Sequence, residues 1–318
     1  MNFVANLPSK TISLISAGIK AMRPVHWVKN LSLFAGLIFT GDLFDRGAFF
    51  KVLWAFGAFS LAASATYVFN DILDAKNDRL HPVKKNRPIA SGKLPIPIAL
   101  LIIIFLSSFS LFTANFLSHL LFLIIAGYLL LQVAYSLALK NIAIIDILII
   151  AAGFVIRVYA GALIIDAHLS VWFLLCVISL ALFLASGKRM AEITTVETPG
   201  TTRKSLTRYP KELLSSYVTM FGNAAWMSWS LYTFFESPKA SLPVWLFLAE
   251  VSKATTINKL LMITIPIVIF GIMRYESLIF QGKSETPEKL LLTDIPLIAD
   301  IFLWTTTVVW ILYSGISA

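Results

Sequence analysis

Asp71, Asp74 and Asp78 recur at i, i+3 and i+7, so on a continuous helix all three carboxylates lie on one face. Carboxylates stacked in a low-dielectric setting repel one another unless a cation joins them. Hard oxygen ligands on a partly open face suit Mg2+, which keeps several waters and takes its remaining ligands from substrate phosphates. Asn70 stands directly before the first aspartate, and the basic residues Lys84, Lys85 and Arg87 follow the last one. His81-Pro82 ends the helix, because the residue before a proline is driven out of helical geometry. Pro88 and Gly92 close the loop that follows. The stretch from Tyr67 to Leu94 therefore has the makings of a metal-diphosphate cradle, the competing reading being a solvated acidic helix end.

Other polar groups fall in places where hydrocarbon is expected. Lys29 and Asn30 sit a turn inside the first apolar span, where a polar pair either snorkels or binds something. Tyr135 precedes Lys140, and Asp146 begins the next apolar run, making Lys140 a candidate substrate or ion-pair group. Arg157, deeper in the same run, reads as half of a buried ion pair with another helix or as a functional intramembrane charge. Gly187-Lys188-Arg189-x-x-Glu192 forms a second dense polar site, in which Lys188 and Arg189 are candidates for phosphate binding. Arg274, Tyr275 and Glu276 make a weaker third cluster. The four histidines, His26, His81, His119 and His168, do not form metal-ligand spacings, and there is no P-loop or Ser-His-Asp arrangement. The single cysteine, Cys176, excludes a disulfide framework and reads as a small core residue.

The elements that must position these groups are set by composition. The 318 residues are 58% hydrophobic and 14% charged, outside the range of soluble domains. Nine apolar spans are long enough to cross about 30 Å of hydrocarbon: residues 25–42, 49–75, 95–117, 119–138, 143–165, 169–189, 212–235, 256–278 and 296–316. The expected fold is all-α, a polytopic membrane protein with nine transmembrane helices in one domain, residues 23–318. Residues 1–22 are expected to form an interfacial amphipathic segment.

Of the 26 Lys and Arg, all but Arg46, Lys51, Lys239, Lys253, Lys259 and the in-span Arg157 fall on one side of this layout. Cytoplasmic loops carry the basic excess, so the N-terminus is expected inside and the C-terminus outside. Orientation and anionic lipid account for Lys10, Lys20, Lys204 and Lys211. They do not account for Asp71, Asp74, Asp78, Asp146 and Glu192 near the same face, since acidic residues contribute little to topology. The charge is therefore assigned to the membrane and an anionic substrate, with no nucleic acid partner.

Asn70-Asp71-x-x-Asp74-x-x-x-Asp78 resembles the first aspartate motif of the UbiA superfamily of membrane prenyltransferases, and the resemblance covers essentially the whole chain. The second aspartate-rich motif common there is replaced by Gly187-Lys188-Arg189-x-x-Glu192, which favours anions over a second metal. That departure is similar to the decaprenyl-phosphate phosphoribosyltransferase branch. So are Arg23-Pro24-x-x-Trp27-x-Lys29-Asn30, His81-Pro82-x-Lys84-x-x-Arg87-Pro88-x-Ala90-x-Gly92, Tyr135-Ser136-x-x-Leu139-Lys140 and Gly153-Phe154-x-x-Arg157. His26 departs from the glutamine usual in that branch, and Lys76 from an acid.

The resemblance implies a UbiA-like helical barrel open to lipid. Its reaction would transfer a 5-phosphoribosyl group from phosphoribosyl diphosphate to a polyprenyl phosphate, with release of diphosphate. The expected setting is cell-wall biosynthesis at a bacterial inner membrane with the site facing the cytoplasm, and a homo-oligomer is left open. It further implies Mg2+ on Asp71 and Asp74, and Asp78 or Asp146 stabilising charge at the ribose C1. Substrate contacts would come from Lys29, Asn70, Lys84, Arg87, Tyr135, Lys140, Lys188 and Arg189. The main alternative is transfer of an isoprenoid from its diphosphate to an aromatic or other acceptor, against which the missing second motif argues. A transporter would need polar groups near the midplane, where Arg157 alone is a clear candidate.

Overall fold

The computed structural model describes residues 9–81, 83–195, 209–236, 255–282 and 287–313. The basic residues Arg203, Lys204, Arg208, Lys239, Lys253 and Lys283 lie outside them. Among the described residues every regular element is helical. The elements are α1 (Ser9–Met22), a 3-10 segment (Pro24–Leu33), α2 (Phe34–Phe39), α3 (Arg46–Leu80), α4 (Ile96–Leu117), α5 (His119–Leu137), α6 (Ile145–Leu163), α7 (Val171–Thr195) and α8 (Lys211–Phe235). Short 3-10 turns (Lys84–Asn86 and Leu139–Asn141) follow α3 and α5, and a longer 3-10 segment (Thr255–Thr264), α9 (Ile265–Phe280), α10 (Pro287–Thr293) and α11 (Ile295–Tyr313) complete the order.

Seven of these helices are long and apolar enough to cross a membrane, and the protein is an integral membrane protein. Among the described residues two of the nine expected spans, 25–42 and 212–235, are not in this set. Residues 25–42 do not form one α-helix. Pro24 cannot donate a backbone hydrogen bond, and the side chains that follow are claimed by neighbours. Trp27 Nε1 donates to Ser64 Oγ at 3.0 Å and Asn30 Nδ2 to Ser60 Oγ at 2.9 Å, drawing the segment along α3 as a tight 3-10 run. The expected span 212–235 is helical as α8, but Lys211, Glu212, Asn223 and several Ser and Thr residues make it more polar than the other seven. The span 256–278 is among the seven, as Lys259–Phe280, with a non-helical backbone at Lys259 (φ −119°, ψ 49°) near its start.

α3 is the axis of the site. Asp45 caps it, accepting from Ala48 N at 2.6 Å, and its 35 residues extend about 52 Å, well beyond the hydrocarbon. The aspartate face thus sits on its last turns. His81 then turns the chain, its Nδ1 accepting from Val83 N at 3.2 Å and Lys84 N at 3.3 Å. Arg79 Nε donates to Ala90 O, and Leu94 N to Pro88 O, fastening the basic loop back onto the helix. α1 lays Ala17 and Ala21 into a cluster with Val68 and Ala75 of α3 and Ala99 of α4. The outward faces of α4, α5 and α11 expose Phe105, Phe112, Phe116, Leu130 and Phe302, as expected of surfaces that meet lipid.

The first 3-10 segment also packs on α6, and Gly161 makes this possible. A Cβ placed there would lie 1.8 Å from Leu33 O, a distance no side chain can occupy. Gly161→Ala should force α6 away from Leu33 and cost about 1–3 kcal/mol, the range for overpacking a well-packed interior. Thermal unfolding in detergent reads this as a lower melting temperature; an unchanged one would contradict the close approach.

Candidate active site

The three aspartates do share a face of α3, and each carries a cation. Asp71, buried, takes Arg23 Nη2 at 2.5 Å and Arg87 Nη1 at 3.2 Å. The same Arg87 nitrogen lies 2.7 Å from Asp78 Oδ2. Asp74 holds Lys140 Nζ at 2.6 Å and accepts from Asn70 Nδ2 at 3.0 Å. Arg23 is held in the left-handed region (φ 53°) just before Pro24, a conformation that costs a non-glycine residue free energy. It lies over the Tyr67 ring, 5.5 Å from the centroid. Lys140 therefore pairs with Asp74, not with its sequence neighbour Asp146.

In front of these pairs opens a cavity. Lys29, Asn70, Lys84, Arg87, Tyr135 and Lys188 line it. The exposed Lys85 is not part of the wall, whereas the half-buried Lys84 is. Asp71, Asp74, Asp78 and Lys140 stand behind the lining, joined to it through Arg23, Arg87 and Asn70. Sequence reasoning left out of the site Arg23, Gln132 and Tyr128, which the structure places in the wall.

Asp146 and Arg189 require a correction. Neither lines the cavity, and both are completely buried. Arg189 Nε lies 2.7 Å from Asp146 Oδ2, its Nη1 2.5 Å from Glu192 Oε2, and its Nη2 donates to Tyr135 OH at 2.8 Å. The other Asp146 oxygen accepts from Tyr209 OH at 2.6 Å and from Ile147 N at 2.9 Å. With its oxygens so engaged, Asp146 is not presented to a ribose, and Arg189 has its guanidinium committed to protein. The Tyr209 phenol, outside the spans, has its pKa raised by burial first and then by donation to Asp146. This cluster ties α6 to α7 and holds Tyr135 and Glu192 at the cavity wall.

Arg157 also differs from expectation. It forms no ion pair among the described residues. Nε donates to Asn30 Oδ1 at 2.6 Å, Nη1 to Gly153 O at 2.5 Å and Nη2 to Tyr128 OH at 2.9 Å.

The donor set can be tested for a metal. No group of three or more His, Cys, Asp and Glu side chains among the described residues is arranged to hold an ion, because the carboxylates face cations. Asn70 Oδ1, however, is a buried oxygen without a hydrogen-bond partner, on a residue that lines the cavity beside Asp71 and Asp74. Oxygen donors of this kind fit a hard divalent cation that draws its other ligands from a substrate.

The sequence profile of the UbiA prenyltransferase family matches residues 31–197. The chain belongs to the UbiA prenyltransferase family. It is a membrane transferase. Among UbiA relatives, a decaprenyl-phosphate phosphoribosyltransferase of Mycolicibacterium smegmatis is 36% identical over 303 residues, covering 93% of this chain and 92% of that one. The enzyme of the same name from Corynebacterium glutamicum is 33% identical over 307 residues, 95% and 88% of the two chains. A UbiA homolog from Archaeoglobus fulgidus, solved bound to GPP and Mg2+, superposes with a TM-score of 0.65 at 18% identity, covering 93% of this chain and 99% of that one. At that identity the likeness carries the fold alone.

The buried Arg189–Asp146 pair gives a stability prediction. Removing one partner of a buried ion pair strands the other, at about 3–5 kcal/mol. Asp146→Ala and Arg189→Met should each lower the melting temperature strongly, and the double variant should lose much less than the sum. Additive losses would show that the two do not act as a pair.

Proposed function

We propose that the protein transfers a 5-phosphoribosyl group from phosphoribosyl diphosphate to a polyprenyl phosphate of decaprenyl type, releasing diphosphate. The observation that carries this reading is the charge of the cavity wall. Among the described residues, Arg23, Lys29, Lys84, Arg87, Arg157 and Lys188 line it with a single carboxylate, Glu192. Such a wall suits two substrates that are both phosphate esters better than an aromatic acceptor. The names of the two relatives, similar over nearly the full chain, support the same reading.

Asp71, Asp74 and the Asn70 carbonyl would hold Mg2+. Bound there, the ion would offset negative charge developing on the departing diphosphate. The chain's own groups do the rest. Arg23, Lys84 and Arg87 receive the diphosphate, the two arginines exchanging carboxylate partners for phosphate oxygens. The C1–O bond to diphosphate breaks and its electron pair leaves with the diphosphate. A non-bridging oxygen of the acceptor phosphate forms the new C1–O bond. Near neutral pH that oxygen is already an anion, so no base is needed and none of the four histidines has to serve as one. Rate enhancement then comes from positioning and fixed charge. Asp78, buried against Arg87, keeps that guanidinium in place. Lys29, Tyr135 and Lys188 are substrate contacts from the remaining sides, and Lys140 orients Asp74.

The basic excess supports a cytoplasmic position for this face, which would put the N-terminus inside and the C-terminus outside. The bilayer would be a bacterial inner membrane, with the polyprenyl chain lying against the apolar helices. Residues 23–318 act as one transmembrane domain, preceded by an N-terminal segment at the interface.

Purified protein with Mg2+, labelled phosphoribosyl diphosphate and decaprenyl phosphate should yield a lipid-extractable phosphoribosyl product and diphosphate in equal amounts. Asp71→Asn and Asp74→Asn should each lower kcat/KM by about 100-fold or more, the scale for losing a fixed charge at the reacting centre, and leave the protein folded. Failure to form the product, combined with isoprenoid transfer to an aromatic acid, would replace this reading with the alternative. Near-normal turnover by either variant would count against direct metal ligation.

A further inference from the structure

Arg157 is a cation deep in the spans, 4% exposed, whose partners are all neutral. Asn30, Gly153 and Tyr128 take three of its N–H groups. The Tyr128 and Phe59 rings lie 5.0 and 5.9 Å from its guanidinium carbon. A guanidinium has five N–H donors, so two remain, on a residue that borders the cavity. Gly153 leaves the room: a Cβ there would approach Arg157 Nη1 to 3.3 Å. The contrast with Arg189 is informative. That arginine is equally hidden and serves architecture, and it is given two carboxylates. A buried charge without a counter-charge is costly, and rings and neutral acceptors offset this only in part.

The position along the bilayer selects among anions. Arg157 shares Asn30 with Ser60, and eleven residues of α3 separate Ser60 from Asp71, roughly 16 Å along the helix. The aspartates with Arg23, Lys84 and Arg87 thus occupy one end of the site, and Arg157 the end toward the hydrocarbon. The first end suits a diphosphate. A phosphate delivered on a lipid tail arrives from the second. We infer that Arg157 binds the phosphomonoester of the polyprenyl acceptor and sets the depth at which that headgroup stops. The inference rests on the proposed reaction and extends it by assigning the acceptor's subsite.

The test uses the full chain in detergent, with each substrate varied at saturating levels of the other. Arg157→Gln should raise KM for decaprenyl phosphate about ten- to a hundredfold, the range for losing a charged hydrogen bond. KM for phosphoribosyl diphosphate should stay within about twofold, and Arg157→Lys should recover part of the loss. A binding measurement accompanies this. Farnesyl phosphate without metal should raise the melting temperature of the wild type more than farnesol does, and that difference should vanish in Arg157→Gln. A rise confined to the donor's KM moves the contact to the donor's 5-phosphate and overturns the acceptor assignment. A fall in kcat or yield with both KM values unchanged makes Arg157 an architectural bolt and also overturns it. If Arg157→Gln does not fold, Arg157→Lys decides by the same KM comparison. If the wild type makes no phosphoribosyl lipid, the reaction is wrong, and the farnesyl phosphate difference still decides for or against the anion site.

Discussion

Everything at this site depends on neutralising the carboxylates of α3. Three aspartates on one face near hydrocarbon would repel one another and resist burial. The chain answers by bringing a cation to each from a different direction: Arg23 from the segment before α3, Arg87 from the loop after it, and Lys140 from the turn between α5 and α6. These contacts draw three stretches of chain around the end of one helix, and the cavity is the space they leave. The long reach of α3, the His81 turn and the 3-10 approach of residues 24–33 are the means by which those cations arrive.

Much of this was legible in the sequence, because spacing along one helix is a local property. The i, i+3, i+7 aspartates and the basic loop could be placed together without knowing anything distant. Lys84 and Lys85 could not be separated that way, since which of them faces inward depends on a short 3-10 turn capped by His81. The pairing of Arg23 with Asp71 spans 48 residues and relies on a left-handed backbone that no pattern announces. Asp146 and Arg189 show the opposite failure. Both lie at the polar ends of their spans, so by position they belong to the site. Only the direction of the side chains shows that they meet each other instead. The first span was misjudged for a related reason: hydropathy measures the solvent a segment prefers and is blind to the tertiary hydrogen bonds that break its helix.

The two hidden arginines make the distinction between scaffold and site physical. Arg189 lies among Asp146, Glu192 and Tyr135, an arrangement that supplies two counter-charges and positions two wall residues. Arg157 lies among dipoles and rings, adequate to hold a guanidinium in place yet without a formal negative charge. In a low-dielectric interior that difference is large. It separates a group whose electrostatic needs the fold has met from one whose needs a ligand can still meet.

The same reasoning explains how one cavity can hold both signs without collapsing on itself. In the ligand-free protein the α3 aspartates are satisfied by Arg23, Arg87 and Lys140, so none of these charges is left isolated. On the proposed reaction a metal-bound diphosphate brings one cation and several anionic oxygens together. The aspartates can turn to the metal while Arg23 and Arg87 turn to the phosphates, so Asp71 and both arginines keep a partner. Either component alone would displace a partner without replacing it. The ion pairs on α3 therefore favour the complete metal-diphosphate complex over free metal or free diphosphate, a selectivity that follows from charge balance inside the membrane boundary.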